Sequence, residues 1–395
     1  MITLPILLLT LSVAIVGANS LVLSPIAGSV ARSFAGTEAS GVMVASATYG
    51  ICTALSALFL APLSDRFGGK PVLLVAMFLL ALALGLSALA PTLLILCVAQ
   101  GLSGVAAGVA LPASYGLAVQ LAAKGRESET LGIVLTGWTL SLVVGVSVSA
   151  IIADLVHWRG VYLFMAVLAG GVAISILLTS AWGTSAVTSV DISVAKRKPT
   201  SPLTALQVPG IGRGLIVCAS YMIAFYGLYT YLGGHLQQAL GQSTASSGFT
   251  TLAYGIGFGG AVLLDRYIDR HGPAKVAVYV FTGLSLTYLG VSFVSSSFYG
   301  LVAFCLIWGM MNHLGLNLVV GRLVSLDESQ RGAILGINSS VTYFCVFIGA
   351  MAFKPIFDSA GFAVCALISA LCILPAIIDG LLSRRQIGLV KRNAV

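Results

Sequence analysis

The chain has 395 residues, of which 58% are hydrophobic and only 8% are charged, and its formal net charge is +8. About a quarter of the residues in an ordinary soluble domain are charged, so this composition excludes a soluble globular protein. It indicates an integral membrane protein that lies in a lipid bilayer.

Long apolar runs recur from one end of the chain to the other. A helix needs about 20 mostly apolar residues to cross about 30 Å of hydrocarbon. The runs are too long and too even for the alternating strands of a membrane β-barrel. We therefore predict an all-α membrane protein whose twelve transmembrane helices lie at approximately 4–27, 40–62, 71–91, 93–121, 130–153, 160–182, 213–238, 247–265, 275–296, 299–321, 332–354 and 361–382.

One long polar segment, residues 183–212, interrupts this pattern after the sixth apolar run. It is rich in Ser, Thr and Pro and carries a basic cluster at Lys196–Lys198. Such a segment is typical of a linker between two halves. We predict an N-terminal six-helix bundle over residues 1–182, a cytoplasmic linker over 183–212, and a C-terminal six-helix bundle with a short tail over 213–395.

The basic residues predict the orientation of the chain. If both termini are cytoplasmic, seventeen of the 20 Lys and Arg residues fall in cytoplasmic loops or helix ends, and Arg32, Arg159 and Lys354 fall outside. This asymmetry follows the positive-inside rule. It also accounts for the net charge, so no nucleic-acid partner is expected.

The two predicted halves carry traces of a common repeat. A shift of 204 residues places the segment LSDRFGGK, Leu63–Lys70, on YIDRHGPA, Tyr267–Ala274. The same shift, without a gap, also matches Gly132 with Gly336, and Asp154 with Asp358, among others. A shared offset over several helices indicates a duplicated six-helix unit, and hence two pseudo-symmetric bundles.

The turn between predicted helices two and three resembles the signature of the major facilitator superfamily of transporters. It reads APLSDRFGGK, from Ala61 to Lys70, and departs from the family pattern at Ala61 and Gly69. The segment HWRGVYLF, His157–Phe164, is similar to the outer start of helix six in the bacterial drug and sugar efflux branch. The resemblance covers essentially the whole chain. It implies two bundles related by an axis along the membrane normal, a substrate site between them, and a location in a bacterial inner membrane.

The resemblance also implies a cytoplasmic gate in this turn and its repeat. In the family, the acid and the bases of the signature latch the two halves together when the cavity opens outward. Independently, a tight turn needs glycine where φ is positive, and an aspartate near a helix start is favoured by the helix dipole. For Asp65 the implied partner lies near Arg331–Gly336, and for the bases it is Glu127 or Glu129. The gate residues are Asp65, Arg66, Gly68, Lys70, Asp269, Arg270 and Gly272.

Several motifs argue against an enzyme. The run GIGFGG, Gly255–Gly260, fits GxGxxG, but it lies inside an apolar helix with no preceding strand, so close helix packing explains it better than dinucleotide binding. The same holds for the GxxxG of Gly104 and Gly108. No nucleotide-binding loop, metalloprotease motif or hydrolase elbow occurs in the sequence. We expect no cofactor and no metal, and transport driven by a gradient.

The coupling ion is harder to predict. Intramembrane acids usually mark proton-coupled transport, but here Asp265 and Asp379 fall near the cytoplasmic boundary. Gln100 stands where proton-coupled efflux relatives often have an arginine, and their helix-five Gly-Pro signature is missing, which weakens proton antiport. His235 and His313 remain the candidates for proton coupling, because a histidine titrates near neutral pH. Each could equally be a buried neutral histidine.

Polar residues concentrate in a few helices and predict a solute cavity. For any one of them, a hydrogen bond between helices, worth about 0.6 kcal/mol, is an equally good explanation. As a set of amides, hydroxyls and rings they suit a neutral or weakly charged organic solute. The candidate substrate-binding residues are Asn19, Tyr49, Gln100, Trp138, Tyr226, Tyr229, His313, Asn317, Asn338 and Thr342.

The sequence thus predicts a monomeric secondary transporter that works by alternating access and exports a small organic solute, with protons as the candidate coupling ion. The alternative is an importer, or an uncoupled facilitator, of a sugar-like or organic-acid nutrient. A more distant alternative is a membrane sensor or intramembrane enzyme on the same fold. An enzyme would need buried catalytic residues, and a sensor would be expected to carry a soluble output domain.

Overall fold

The computed structural model describes residues 3–60, 62–123, 126–179, 182, 202–327 and 330–393. The described chain folds into helices and contains no strand. Within these ranges, the side chains of some helical residues fall outside the described part, including Asp65 and Asp269. Most of the predicted linker, residues 183–201 with the cluster Lys196–Lys198, also falls outside it.

The helices before the linker follow the predicted order. In chain order they are α1 (Leu4–Ala31), α2 (Ala39–Phe59), the short α3 (Leu63–Phe67), α4 (Gly69–Leu89), α5 (Leu93–Leu121), α6 (Glu127–Leu140), a π-helical segment (Ser141–Val146), α7 (Ser147–Leu155) and α8 (Trp158–Leu178). The predicted fifth span is therefore one helix that passes through a π-helical segment.

The helices after the linker begin with a 3-10 helix at Pro202–Gln207. They continue as α9 (Ile211–Gln238), α10 (Thr244–Gly260), a 3-10 segment (Ala261–Leu264), α11 (Asp265–His271), α12 (Pro273–Phe293), α13 (Phe298–Val324), α14 (Arg331–Cys372) and α15 (Leu374–Asn393). The 3-10 segment joins α10 to α11, so the predicted eighth span continues beyond residue 265.

Eleven stretches of the described chain are long and apolar enough to cross a membrane, and the last of them contains two predicted helices. It covers Gly332–Arg384, 53 residues, which at 1.5 Å per residue is about 80 Å and more than twice the hydrocarbon thickness. Gly361 interrupts it with φ 81° and ψ 178°. The prediction of a loop between residues 354 and 361 is wrong, because the helix continues up to this glycine. Its left-handed φ, which a Cβ would disfavour, turns the chain in its place.

We name the two ends of the bundle by their turns. The signature face carries the turns that end at Gly68 and Gly272, and the far face carries the turns between α1 and α2 and between α9 and α10. Gly68 has φ 86° and ψ 146°, and Gly272 has φ 83° and ψ 135°. Each follows a short helix, α3 or α11, so two positions 204 residues apart share one backbone conformation. The predicted positive-φ glycines are confirmed.

Close packing through glycine joins neighbouring helices. Gly104 and Gly108 of α5 lie directly against the α2 backbone at Tyr49 and Thr53. Gly255 and Gly259 of α10 lie against Val143 and Thr139. The prediction that these glycine motifs serve helix packing is confirmed. The result is an all-α bundle in which α2 lies along α14, and α10 lies along α7 and its π-helical segment.

We predict that Gly108→Val lowers the melting temperature of the purified protein by several degrees. A Cβ at Gly108 would lie 2.5 Å from the Thr53 carbonyl oxygen, and overpacking of this kind costs about 1–3 kcal/mol. The matched control is Gly116→Val in the same helix, because a Cβ there meets nothing within 4 Å. Equal melting temperatures for the two variants would contradict the packing role.

Candidate functional site

Tyrosines from both predicted halves meet at the middle of the bundle. Tyr49 of α2 and Tyr343 of α14 are buried, and their ring centroids lie 6.1 Å apart in an edge-on arrangement. Tyr226 of α9 is buried beside both of them and adjoins Ser20 of α1. These phenols belong to helices that the sequence assigns to different halves, so they lie at the seam between the halves.

A fourth tyrosine extends this group. Tyr115 of α5 lies near Tyr343, and its hydroxyl accepts a hydrogen bond of 3.0 Å from the Trp138 indole of α6. Tyr115 and Trp138 are only partly buried. We call Tyr49, Tyr115, Tyr226 and Tyr343 the tyrosine cluster. The sequence predicted Tyr49, Tyr226 and Trp138 for this region but missed Tyr115, which stands alone in an apolar run.

Asn19 and Gln100 form a hydrogen-bonded chain inside the first half. The Asn19 amide donates to Gln100 Oε1 at 3.2 Å, and Gln100 Nε2 donates to Ser87 Oγ at 3.0 Å. Both amides are buried. The side-chain bonds of Gln100 therefore join α1, α5 and α4, which is the helix-to-helix alternative for this residue. Asn19 Oδ1 is buried without a hydrogen-bond partner in the described part of the chain.

Tyr229 lies in an aromatic core of the second half. Its ring is 5.3 Å from Phe225 and 6.3 Å from Trp308, and Phe225 and Trp308 both contact Tyr254. Tyr229, Tyr254 and Trp308 are all buried. The rings fill the space between α9, α10 and α13, so this core fixes the geometry of the second half.

Asn338 and Thr342 of α14 both face Cys218 of α9. The Cys218 thiol lies 3.1 Å from Asn338 Oδ1 and 3.9 Å from Thr342 Oγ1. Asn338 is buried, whereas Thr342 is partly exposed and directly precedes Tyr343 in α14. Both side chains therefore face α9, and Thr342 is the one next to a member of the tyrosine cluster in the sequence.

His313 forms a close contact with Asp265 that the sequence did not predict. Its Nε2 lies 3.1 Å from both carboxylate oxygens of Asp265, and its ring packs on Phe258 at 5.0 Å. The sequence placed Asp265 at the end of a span, but the helix continues through α11 to His271. The continued helix brings Asp265 inside the apolar stretch Thr244–Ile268. The side chains of His313 and Asp265 keep 15% and 29% of their surface exposed.

The other predicted polar residues of this region lie apart from the seam. Asn317 is exposed, one turn beyond His313. His235 lies near the far face, where its ring stacks on Phe362 at 4.6 Å and its Nε2 lies 2.7 Å from the Ser295 carbonyl oxygen. The structure does not bring His235 together with His313.

The signature turn makes contacts within its own half. Lys70 donates to the Thr179 carbonyl at the end of α8, at 3.0 Å, and lies over the Trp182 ring. Arg66 and Arg270 are exposed. The structure does not describe the side chains of the predicted gate acids, Asp65 and Asp269. It does not describe those of the implied partners Glu127, Glu129 and Arg331 either. The latch between the halves stays a prediction.

A buried carboxylate ties the second half together near the signature face. Asp379 of α15 pairs with Arg213 of α9 and Arg322 of α13. Arg213 also donates to the Asp379 carbonyl at 3.1 Å. A shift of 204 residues puts Leu9, Ala118 and Ser175 at the equivalent positions, so this cluster has no counterpart in the first half.

The seam is tightly closed at the far face. Gly233 of α9 lies so close to α1 that a Cβ would overlap the Ser24 carbonyl, and Ser24 Oγ donates to the Tyr229 carbonyl at 2.6 Å. The Gln237 side chain packs against Gly28, and its Nε2 donates a hydrogen bond to the Pro25 carbonyl. We call Ser24, Pro25, Gly28, Gly233 and Gln237 the far-face seal.

Exposed side chains occur near the signature face. Helix α1, which contacts helices of both halves, is buried at every residue from Ser12 to Ala31. In its first turns, Leu4 and Leu7 are exposed and Leu11 is partly exposed, all on one face. In the 3-10 segment that follows α10, Val262 is 52% exposed. The buried tyrosine cluster thus lies below a closely packed far face, with exposed side chains toward the signature face.

The fold and this arrangement define a multi-pass membrane transporter. A family model described as Major Facilitator Superfamily matches residues 9–350. The chain belongs to this superfamily, as the signature turn predicted, and is a transporter of small solutes rather than an enzyme.

Three relatives have sequences similar to that of the chain. The chain is 25% identical to the "Uncharacterized MFS-type transporter YwfA" of Bacillus subtilis (strain 168) over 98% of its own length and 94% of the relative. It is 24% identical to the "Transcription regulatory protein OpdE" of Pseudomonas aeruginosa over 63% of this chain and 60% of that one. It is 30% identical to "Multidrug resistance protein D" of Escherichia coli (strain K12) over 32% of each chain.

We predict that Gly233→Val opens the far-face seal. In a cysteine-free variant, Ser20→Cys should react about tenfold faster with a membrane-impermeant thiol reagent applied from the far side when Gly233→Val is present. Tenfold corresponds to a shift of about 1.4 kcal/mol in the conformational equilibrium.

The control for this change is Gly212→Val in the same helix, where a Cβ would meet nothing within 4 Å. It should leave the reactivity of Ser20→Cys unchanged. Unchanged reactivity in Gly233→Val as well would contradict the role of the seal.

Proposed function

We propose that the chain exports a small neutral organic solute across a bacterial inner membrane, as a monomer that alternates between two conformations. The observation that carries the proposal is the tyrosine cluster. It lies at the seam, below the tightly packed far-face seal, whereas Leu4, Leu7 and Val262 near the signature face are exposed. With the signature face in the cytoplasm, as the basic residues indicate, this conformation is the one in which an exporter loads its solute.

The chemistry of the seam supports a neutral solute. The described polar side chains around the tyrosine cluster include phenols, an indole, the hydroxyls of Ser20 and Thr53, and the thiols of Cys218 and Cys345, with no carboxylate and no basic side chain among them. Aromatic rings with polar tips favour a solute that has an apolar body and a few hydrogen-bonding groups. A strongly charged solute would lack a counter-ion there and would have to lose its hydration.

The predicted division of the chain fits this mechanism. We propose that residues 1–182 and 213–395 rock against each other as two bundles, joined by the linker 183–212. Opening the far face would separate Ser24 from Gly233. The signature turns would then close the cytoplasmic side, with Asp65 and its repeat Asp269 holding the halves together. The cluster around Asp379 would keep α9, α13 and α15 together during that movement.

Export is favoured over import by one comparison. "Multidrug resistance protein D", a relative over a third of the chain, bears a name that refers to drug resistance. A cytoplasm-open conformation also occurs in the cycle of an importer, so the direction rests on this relative and on the resemblance of the signature. An importer of a sugar-like or organic-acid nutrient is the alternative.

We test the function by flux. A thermal-shift screen of purified protein against small organic compounds identifies a stabilising solute, and its movement is then followed in proteoliposomes of defined orientation. We expect net movement from the signature face to the far face, with at least about tenfold loss in Tyr343→Ala. Net movement in the opposite direction would establish the importer, and no movement of any stabilising solute would contradict transport.

A sensor is the second candidate, because one relative is named "Transcription regulatory protein OpdE". A sensor on this fold would bind its ligand at the tyrosine cluster and change conformation without net flux. The same proteoliposome measurement therefore distinguishes it: thermal stabilisation without flux would favour the sensor.

The ion pair of His313 and Asp265 is our candidate for proton coupling. When His313 is protonated, the two charges neutralise each other. When it is neutral, Asp265 keeps an unpaired charge between two membrane helices, which is costly in that environment. The pair therefore links the loss of one proton to a change in helix contacts. His313 faces Phe258 and Asp265 on the neighbouring helices, and Asn317 follows it on its own helix.

We predict that Asp265→Asn and His313→Gln each abolish the dependence of flux on a pH gradient. Without its partner, neither side chain can alternate between the neutralised and the unpaired state. His235→Gln is the matched control, since His235 lies near the far face and bonds to Ser295. Flux in the double variant that still follows the pH gradient would contradict coupling through this pair.

A further inference from the structure

A cavity lies on the far face, on the outer side of the far-face seal, which contributes Gly28 and Gln237 to its wall. Its volume is about 270 Å³, and it is formed by the end of α1, the start of α2 and the end of α9. Gly28, Thr37 and Gln237 line its wall, and Arg32, Glu38 and Gln238 surround it. Because α9 follows the linker and the other two helices precede it, the cavity bridges the two halves.

The cavity brings together one positive and one negative side chain that do not neutralise each other. Arg32 donates to Ser29 Oγ at 2.9 Å, and that hydroxyl is in turn bonded to Thr244 at 2.7 Å. Among the described residues, neither Arg32 nor Glu38 forms an ion pair. Lys354, another basic residue that the sequence assigned to the outer side, pairs instead with Asp358.

An unsatisfied amide oxygen adds to the polarity of this cavity. Gln237 uses its Nε2 for the Pro25 carbonyl and for Ser247 Oγ. Its Oε1 is buried and has no hydrogen-bond partner in the part of the chain that the structure describes. A buried acceptor of this kind is costly unless it is satisfied. A rotation of the Gln237 amide into the cavity would let a ligand donor remove that cost.

We propose that this far-face cavity binds a small zwitterion, a molecule with one carboxylate and one ammonium group, such as an α-amino acid. The carboxylate would bind Arg32 and the ammonium group would bind Glu38, both through charge-assisted hydrogen bonds. Glu38 repels a simple anion and Arg32 repels a simple cation. The volume lies just below the 300–1,000 Å³ typical of pockets for drug-sized ligands, which restricts the ligand to a small metabolite.

Because the cavity bridges the two halves, a ligand bound in it would affect transport. Opening the far face moves α1 and α2 away from α9 and therefore separates the Arg32–Glu38 side of the cavity from Gln237. A ligand that contacts both sides binds only the closed form and shifts the equilibrium toward it. Zwitterions on the far side therefore slow turnover. This consequence rests on the proposed function, whereas the binding itself does not.

The binding test uses three probes that differ by one group each. Purified protein is heated with L-alanine, with propionate, which lacks the ammonium group, and with ethylamine, which lacks the carboxylate. L-Alanine at saturating concentration should raise the melting temperature by about 1–2 °C, and the other two should not. Arg32→Gln and Glu38→Gln should each remove the shift.

The matched control is Lys354→Gln, which removes a basic residue that already has a partner and should keep the shift. An equal shift with propionate would replace the proposal by a simple anion site, and an equal shift with ethylamine by a cation site. No shift with L-alanine, or a shift that survives in both Arg32→Gln and Glu38→Gln, would overturn the proposal.

The flux test separates this site from the proposed transport. In proteoliposomes loaded with a transported solute, L-alanine on the far side should slow efflux about twofold or more in the wild type, and not in Arg32→Gln. Slowing that is equal in both proteins would contradict control through this cavity. If no solute moves at all, the proposed function fails, while the melting-temperature result still decides whether the site exists.

Discussion

At Gly233, helix α9 lies so close to α1 that the Ser24 carbonyl occupies the space a Cβ would need. Contacts of this kind, between glycine and a neighbouring backbone, hold the whole molecule together, because inside a membrane helix association depends on close packing and not on the hydrophobic effect. Within the halves they fix α5 on α2. At the seam they are accompanied by side-chain hydrogen bonds such as those of Ser24 and Gln237, which would have to break for the far face to open.

The seam is also where we propose that a solute binds. The tyrosine cluster lies where bulky side chains from α2, α5, α9 and α14 meet, next to glycine contacts such as that of Gly104 with the α2 backbone at Tyr49. The polar tips of these rings lie among apolar residues, which explains why the site suits a solute of mixed character. The zwitterion cavity lies on the other side of the far-face seal. The two sites would therefore communicate through one structural element, the contact of α1 with α9.

The sequence predicted most of the fold, because span length and apolar composition determine a membrane helix directly. Gly68 and Gly272 were predicted as turn residues and have matching positive φ angles. The merged helix at Gly361 could not be predicted, since a single glycine in an apolar run does not indicate a turn. The site was predicted only in part. Tyr49 and Tyr226 reach the seam, whereas the bonds of Gln100 stay inside the first half. The pairing of Asp265 with His313 depends on helix α11 and on a neighbour 48 residues away, which composition does not reveal.

The central claim is that the two faces open in alternation around the tyrosine cluster. Spin labels at Ala35 and Ala239 report the width of the far face, and labels at Ala123 and Ser325 report the signature face, in protein reconstituted in lipid nanodiscs with and without a transported solute. The account predicts opposite changes: when the far-face distance lengthens, the signature-face distance shortens. Distances that lengthen together, or a far face that stays closed during measured flux, would contradict it.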